Sequence, residues 1–313
     1  MARVRDYLSL CRFPAVFTAL ADPLVGWTLT TAARPPAALA AWLMLASAGL
    51  YLFGMVLNDL HDRAEDALTR PDRVLPSGRL SAAQAGRFAV ALVLLGTVSA
   101  GLCGAIPGSR ARVPQMALAA AALLTLIVAY TLIKDRPALA LLGVVLMGSC
   151  RAANVMMGAV AAGATRDDLP ALWPVAAIAA YVAGLTLFSA GAPEPPTSPG
   201  RRSWLTGGLL LCIAALLTLM MLPFTRRPPL AGAAPFTAAM SFVPLLVFVG
   251  LAGPRAMREG TPARIGPTVG RLVLLLIPLD AALLLATTGD VVLAALTLGL
   301  LPVALLFRRI RID

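Results

Sequence analysis

The sequence predicts an all-α polytopic membrane protein, a helix bundle of nine or ten transmembrane helices, and three observations carry that expectation. Of its 313 residues, 59% are hydrophobic and 13% charged, and the mean hydropathy is +0.84, too apolar for a soluble globular domain. Aromatic residues reach only 6% while Ala, Leu, Val and Gly dominate, a composition that suits close-packed helices better than a barrel with aromatic girdles. Apolar runs recur at the length of about 20 residues that a helix needs to cross the hydrocarbon layer.

Those runs lie near residues 13–33, 37–58, 83–106, 114–133, 137–162, 170–190, 204–222, 234–253, 269–288 and 290–307. The first follows Arg3 and Arg5 as a signal peptide would, but Pro14, Asp22 and Pro23 interrupt it and many further runs follow, so it is read as an uncleaved span. Only the turn Thr287-Thr288-Gly289-Asp290 separates the last two, and the count falls to nine if they form one bent helix plus an interfacial segment. Residues 1–313 are read as a single transmembrane domain.

The basic residues test this division, because Lys and Arg concentrate in cytoplasmic loops. With the N-terminus inside, nineteen of the 26 fall in cytoplasmic segments and six in the opposite set, with Arg151 inside a span. The expected placement is a multi-pass protein of the inner (plasma) membrane with both termini cytoplasmic. The net charge of +11 belongs to these loops and to anionic headgroups. It forms no basic stripe or aromatic platform, which argues against nucleic-acid binding. Cys11, Cys103, Cys150 and Cys212 are widely spaced, without a CxxC pair, and read as small buried residues. Nothing here specifies an oligomeric state.

The unusual chemistry lies in the longest cytoplasmic loop, residues 58–82. On a helix continuing the second span, Asp59, Asp62 and Asp66 stand at i, i+3 and i+7, with Asn58 four residues before Asp62, so that all four are expected on one face. Clustered carboxylates repel one another unless a cation sits between them, and oxygen-only ligands favour Mg²⁺, which completes its shell with water and substrate phosphates. The alternative is a solvated helix end whose acids pair with Arg63, Arg70 and Arg73.

This pattern resembles the UbiA superfamily of intramembrane prenyltransferases. The family's first signature, NDxxDxxxD followed by an Arg-Pro-rich stretch and a Ser-Gly turn, is matched by Asn58-Asp59-x-x-Asp62-x-x-x-Asp66 and by Arg70-Pro71-Asp72-Arg73-Val74-Leu75-Pro76-Ser77-Gly78. Arg12-Phe13-Pro14 is similar to the Arg-x-Pro that opens the family's first helix, and Tyr130-Thr131-Leu132-Ile133-Lys134-Asp135 to its Tyr-Pro-x-x-Lys-Arg. The family's second acidic motif should fall near residues 189–203, but that stretch holds only Glu194 as an acid, which marks a divergent branch.

The resemblance implies Mg²⁺-dependent transfer of an isoprenoid from an allylic prenyl diphosphate to an unidentified small acceptor within the lipid membrane. Asn58, Asp59, Asp62 and Asp66 would hold the metal, with Arg70, Arg73 and Tyr130 beside the substrate. With one acidic motif missing, basic groups are expected to carry more of the diphosphate charge. Lys134, the only lysine, leads and Arg151 follows.

Arg151 and Asn154 share a face of an otherwise apolar span, where a charge is expected to face the bundle interior. Arg151 is open to two readings, a diphosphate contact or a structural pairing with Asp22 or Asp280. Those two intramembrane carboxylates could orient an acceptor or take its proton, or simply pair with Arg151. His61 falls at a variable position of the signature and is read as solvated, while Tyr181, Thr186 and Ser189 are candidates to line the cavity. Two other functions stay open, a catalytically weakened UbiA-like carrier of polyprenyl phosphate and a secondary transporter, although no matching pair of broken helices marks the two halves.

Overall fold

A computed structural model describes residues 4–191, 199–225, 234–259 and 262–309, and every regular element among them is a helix. In chain order these are α1 (Val4–Leu10), α2 (Asp22–Thr31), α3 (Ala37–His61), α4 (Arg63–Thr69), α5 (Ala82–Cys103), α6 (Val113–Ile133), α7 (Ala140–Ala161) and α8 (Trp173–Ala190). They are followed by α9 (Pro199–Met220), α10 (Leu222–Thr225), α11 (Ala234–Met240), α12 (Val243–Glu259), α13 (Pro262–Leu274), α14 (Leu276–Thr288), α15 (Val291–Leu298) and α16 (Leu300–Arg309). Short 3₁₀ segments at Phe13–Thr18, Pro137–Leu139 and Arg166–Leu172 precede α2, α7 and α8.

Among the described residues nine helical segments are long and apolar enough to cross a membrane, and the bent N-terminal pair Val4–Leu10 and Phe13–Thr31 makes ten if it is one span. The ambiguity therefore sits at the first run and not at the last pair, where Ile265–Thr288 and Val291–Arg308 each qualify alone.

Proline explains why continuous apolar runs become broken helices. Its ring meets the carbonyl four residues back and it offers no N–H to that carbonyl. Accordingly α11 ends at Met240, four residues before Pro244, α13 ends at Leu274, four before Pro278, and α15 ends at Leu298, four before Pro302. The same rule applied to Pro23 frees the carbonyl of Ala19 and splits the 13–33 run into a 3₁₀ turn and α2. Apart from a long 3.3 Å contact from the Asp22 N–H, this carbonyl is satisfied from other helices, by the Ser47 hydroxyl at 2.7 Å and the Asn154 amide at 3.2 Å.

Two apolar clusters build the interior. One gathers α3, α5 and α6, the other α8, α9 and α11–α14, and residues of α2 and α7 enter both. These two helices touch through their backbones. A Cβ on Gly26 would fall 1.8 Å from the Val155 carbonyl oxygen, and one on Gly158 would fall 1.7 Å from the Pro23 carbonyl oxygen. Gly158→Ala therefore forces α2 and α7 apart, at a cost of about 1–3 kcal/mol or more. Its melting temperature in detergent micelles is expected to drop, while Gly250→Ala, with nothing within 4 Å of the added atom, leaves it unchanged. Equal melting of the two variants would contradict the backbone contact.

Candidate active site

Several helix faces converge on a cavity of about 410 Å³. On α3 it is lined by Ser47, Tyr51, Gly54, Met55 and Asn58, a spacing that keeps all five on one stripe of a helix. Met147, Cys150, Arg151 and Asn154 form the matching stripe of α7, and Val182, Leu185, Thr186 and Ser189 that of α8. From Ser47 to Asn58 is eleven residues, about 16 Å of helical rise, so the cavity runs deep along α3. Arg12, Asn58 and Tyr130 mark its mouth, and Asp22, Ser47, Arg151 and Asn154 its floor.

At the mouth, α3 and α4 join at Asp62, whose φ of −77° and ψ of −3° keep the helical path nearly continuous. The Asp62 N–H donates to the Asn58 carbonyl and the Asp66 N–H to the Asp62 carbonyl, at 2.9 and 2.8 Å. The four signature side chains nevertheless divide into two stripes, correcting the expectation of one face. Asp59 and Asp66, seven residues apart, share Arg73, whose Nη1 lies 2.6 Å from Asp66 Oδ2 and 3.7 Å from Asp59 Oδ1. Asn58 and Asp62, four residues apart, turn to α6 about 100° around the helix. Thr131 Oγ1 donates to Asn58 Oδ1 at 2.9 Å, and Lys134 Nζ lies 2.5 Å from both oxygens of Asp62.

Arg12 completes this layer. Its backbone adopts a left-handed turn, φ 47° and ψ 50°, between α1 and the first 3₁₀ segment, and its Nη2 donates to Asp59 Oδ1 at 2.8 Å. Arg70 is more exposed and stands 3.7 Å from Asp66. His61, read from the sequence as solvated, is exposed and contacts Asp135 at 3.2 Å. Its ligand atom and those of Asp62 and Asp135 lie within 4.8 Å of one another, at the outer edge of the cluster.

At the floor, Arg151 Nη2 lies 2.7 Å from Asp22 Oδ1 and 3.3 Å from Asp280 Oδ2, which is the carboxylate pairing, one of its two readings. Asn154 Nδ2 donates to Asp22 Oδ2 at 2.6 Å and to Ser47 Oγ at 2.9 Å. Asp22 and Asp280 are completely buried and Arg151 is 7% exposed. Thr186 and Ser189 line the cavity as expected. Tyr181 does not, because its hydroxyl is spent on the Leu272 carbonyl at 3.0 Å inside the packed core. All four cysteines are free, and Cys150 reaches the cavity wall. Of the stretch 189–203 where the second acidic motif is expected, residues 192–198, Glu194 among them, lie outside the described residues.

Arg12, Ser47, Tyr51 and Thr131 were not among the candidates read from the sequence. Ser47 and Tyr51 had a legible signal, since they stand eleven and seven residues before Asn58 on the same helical stripe. Arg12 had none beyond its Arg-x-Pro context, because only the left-handed turn brings it to Asp59.

The comparisons with known proteins agree with this geometry. Residues 19–256 match the UbiA prenyltransferase family. The chain belongs to that family. As a UbiA member with nine apolar helices among its described residues, it is a multi-pass membrane protein. The digeranylgeranylglyceryl phosphate synthase of Sulfolobus acidocaldarius is 26% identical over 160 residues, 51% of this chain. The match spans only about half of that relative, 54% of its length. A UbiA homolog from Aeropyrum pernix superimposes with a TM-score of 0.64 at 20% identity, covering 85% of this chain and 96% of that one. A UbiA homolog from Archaeoglobus fulgidus bound to DMAPP and Mg²⁺ gives 0.58 at 16% identity, covering 89% and 99%. These two likenesses establish the shared fold.

Removing one member of a buried ion pair strands the other, at about 3–5 kcal/mol. Arg151→Met leaves two carboxylates without their cation and is expected to lower the melting temperature sharply, whereas Asp280→Asn, which removes the surplus carboxylate charge, costs less. The opposite order in a thermal melt would refute the arrangement described for the floor.

Proposed function

We propose that this UbiA family member transfers an isoprenoid group from an allylic prenyl diphosphate to a small acceptor, with Mg²⁺ as cofactor. The observation that carries the reading is one cavity that is lined at its mouth by Asn58 of the signature and by Arg12, the partner of Asp59, and that descends between apolar helix faces. We read residues 1–313 as one domain of the plasma membrane with both termini cytoplasmic, from the nineteen-to-six division of basic residues.

The donor set fits the metal. Asp59 and Asp66 already converge on the single cationic group of Arg73, and the signature offers oxygen donors of the kind Mg²⁺ selects. Asp59 and Asp66 would hold it, with Asn58 and Asp62 on the adjoining stripe, and when bound it supplies positive charge to the departing diphosphate.

The chain's own residues then have defined tasks. Arg12, Arg73 and Lys134 each neutralise a carboxylate in the ligand-free protein. When the carboxylates turn to a metal, these cations become available to diphosphate oxygens, Lys134 as a compact point charge and the arginines as planar forks. Arg151 is committed to Asp22 and Asp280 and takes no part in this exchange. The apolar side chains of Val182, Leu185, Val269, Val273 and Leu276 offer the isoprenoid a dry wall.

Membranes containing the protein, supplied with radiolabelled geranyl diphosphate, are expected to transfer label to an acceptor only when Mg²⁺ is present. Asp59→Asn and Asp62→Asn should each lower the rate by about 10²–10³, the typical cost of one charge-stabilising interaction, while leaving the melting temperature unchanged. Near-normal turnover in both variants would reduce the signature to an ion-paired helix end and defeat the proposal.

A further inference from the structure

Arg12 reaches Asp59 from a strained piece of backbone. Its side chain is 45% exposed, so packing around the guanidinium does not hold it, and its place at the mouth is set by the main chain. That main chain stands at φ 47° and ψ 50°, a left-handed conformation that L side chains adopt only against a steric penalty. Such strain persists where neighbouring structure enforces it.

The neighbouring structure is α16. The 3₁₀ segment Phe13–Thr18 forms a thin wall, with Arg12, Thr18 and Ala19 lining the cavity at its two ends. The rings of Phe13 and Phe17 instead meet each other edge to face at 5.7 Å and both meet Phe307 of α16. Phe307 stands edge-on to Phe13 at 5.3 Å and stacks on Phe17 at 5.9 Å with the ring planes 25° apart, within the attractive range for aromatic pairs. Of the helices that touch the segment, α16 packs against it most extensively. Phe307 itself does not line the cavity.

We propose that Phe307 is a positioning residue for the mouth: by clasping Phe13 and Phe17 it keeps the left-handed turn in place and so presents the Arg12 guanidinium to Asp59 and then to the diphosphate. The inference rests on the prenyl-transfer reading above, in which Arg12 passes from carboxylate to diphosphate, and deepens it. Without the clasp the turn is free to relax toward right-handed backbone, which aims the Arg12 side chain away from Asp59. In this way α16 contributes to the site through another residue.

A double-mutant cycle on Arg12 and Phe307 tests this, read as the calorimetric affinity for geranyl diphosphate with Mg²⁺ in detergent micelles. Arg12→Ala removes a charge-assisted contact and is expected to weaken binding about tenfold or more. Phe307→Ala removes two ring contacts and is expected to weaken it about threefold or more. In the Arg12→Ala background Phe307→Ala should cost nothing further, because both changes act on one interaction, and Phe307→Tyr, which keeps the ring, should bind like the wild type. Losses that add in the double variant, or a Phe307→Tyr variant as weak as Phe307→Ala, would show that Phe307 supports the bundle and not Arg12, and would overturn the proposal. Full affinity in Phe307→Ala beside a weak Arg12→Ala would overturn it alone, whereas full affinity in Arg12→Ala would also remove Arg12 from the transfer reading. Phe307→Leu, apolar but without the ring, replaces Phe307→Ala if that variant does not fold.

Discussion

The guanidinium of Arg151, held between the carboxylates of Asp22 and Asp280, is the interaction around which the bundle is organised. It joins α2, α7 and α14, which belong to distant parts of the chain, with both carboxylates completely buried and the guanidinium only 7% exposed. In such surroundings an unmatched charge is far more costly than a matched one, so the pairing fixes how these helices stand relative to one another. Pro23 contributes to the same knot. By leaving the Ala19 carbonyl short of a helical partner it creates the acceptor that Ser47 and Asn154 satisfy, and Asn154 in turn holds Asp22.

The mouth obeys the same rule with looser terms. Asp59, Asp62 and Asp66 are each paired, to Arg12 and Arg73, to Lys134, and to Arg73 and Arg70 respectively. Asp59 and Asp66 are buried, but Asp62 and the cations Arg12, Arg70 and Arg73 are partly solvated and attached to a helix end and loops, so the partners can be exchanged at modest cost. The floor ties helices together permanently, whereas the mouth stores matched charges that a metal and an anion can separate. The cavity between them joins a fixed polar layer to an exchangeable one.

Much of this was legible in the sequence. Run length and the division of basic residues marked the spans, and the Asn58-to-Asp66 spacing marked the mouth, because those signals depend on local period alone. The proline breaks after Met240, Leu274 and Leu298 were also readable in principle, four residues ahead of each proline. What the sequence left open were choices between partners. Arg151 could serve a diphosphate or a carboxylate, and only the approach of α2 and α14 to α7 brings Asp22 and Asp280 to it. The two stripes of the signature could be computed from helical geometry, but the reach of Arg73 back to Asp59 and Asp66 depends on the path of the loop that follows. Tyr181 was a candidate to line the cavity, but nothing in the sequence set its direction, and its hydroxyl is turned toward the Leu272 carbonyl.

The central claim is that the cations and carboxylates of the mouth neutralise each other until a metal and a diphosphate arrive together. Binding linkage tests it most directly, through calorimetric titration of geranyl diphosphate into the protein in detergent micelles with and without Mg²⁺. Because each ligand releases the groups the other needs, Mg²⁺ is expected to tighten geranyl diphosphate binding at least about tenfold, and the diphosphate to tighten Mg²⁺ binding by the same factor. An affinity for geranyl diphosphate that is the same with and without Mg²⁺ would contradict the account.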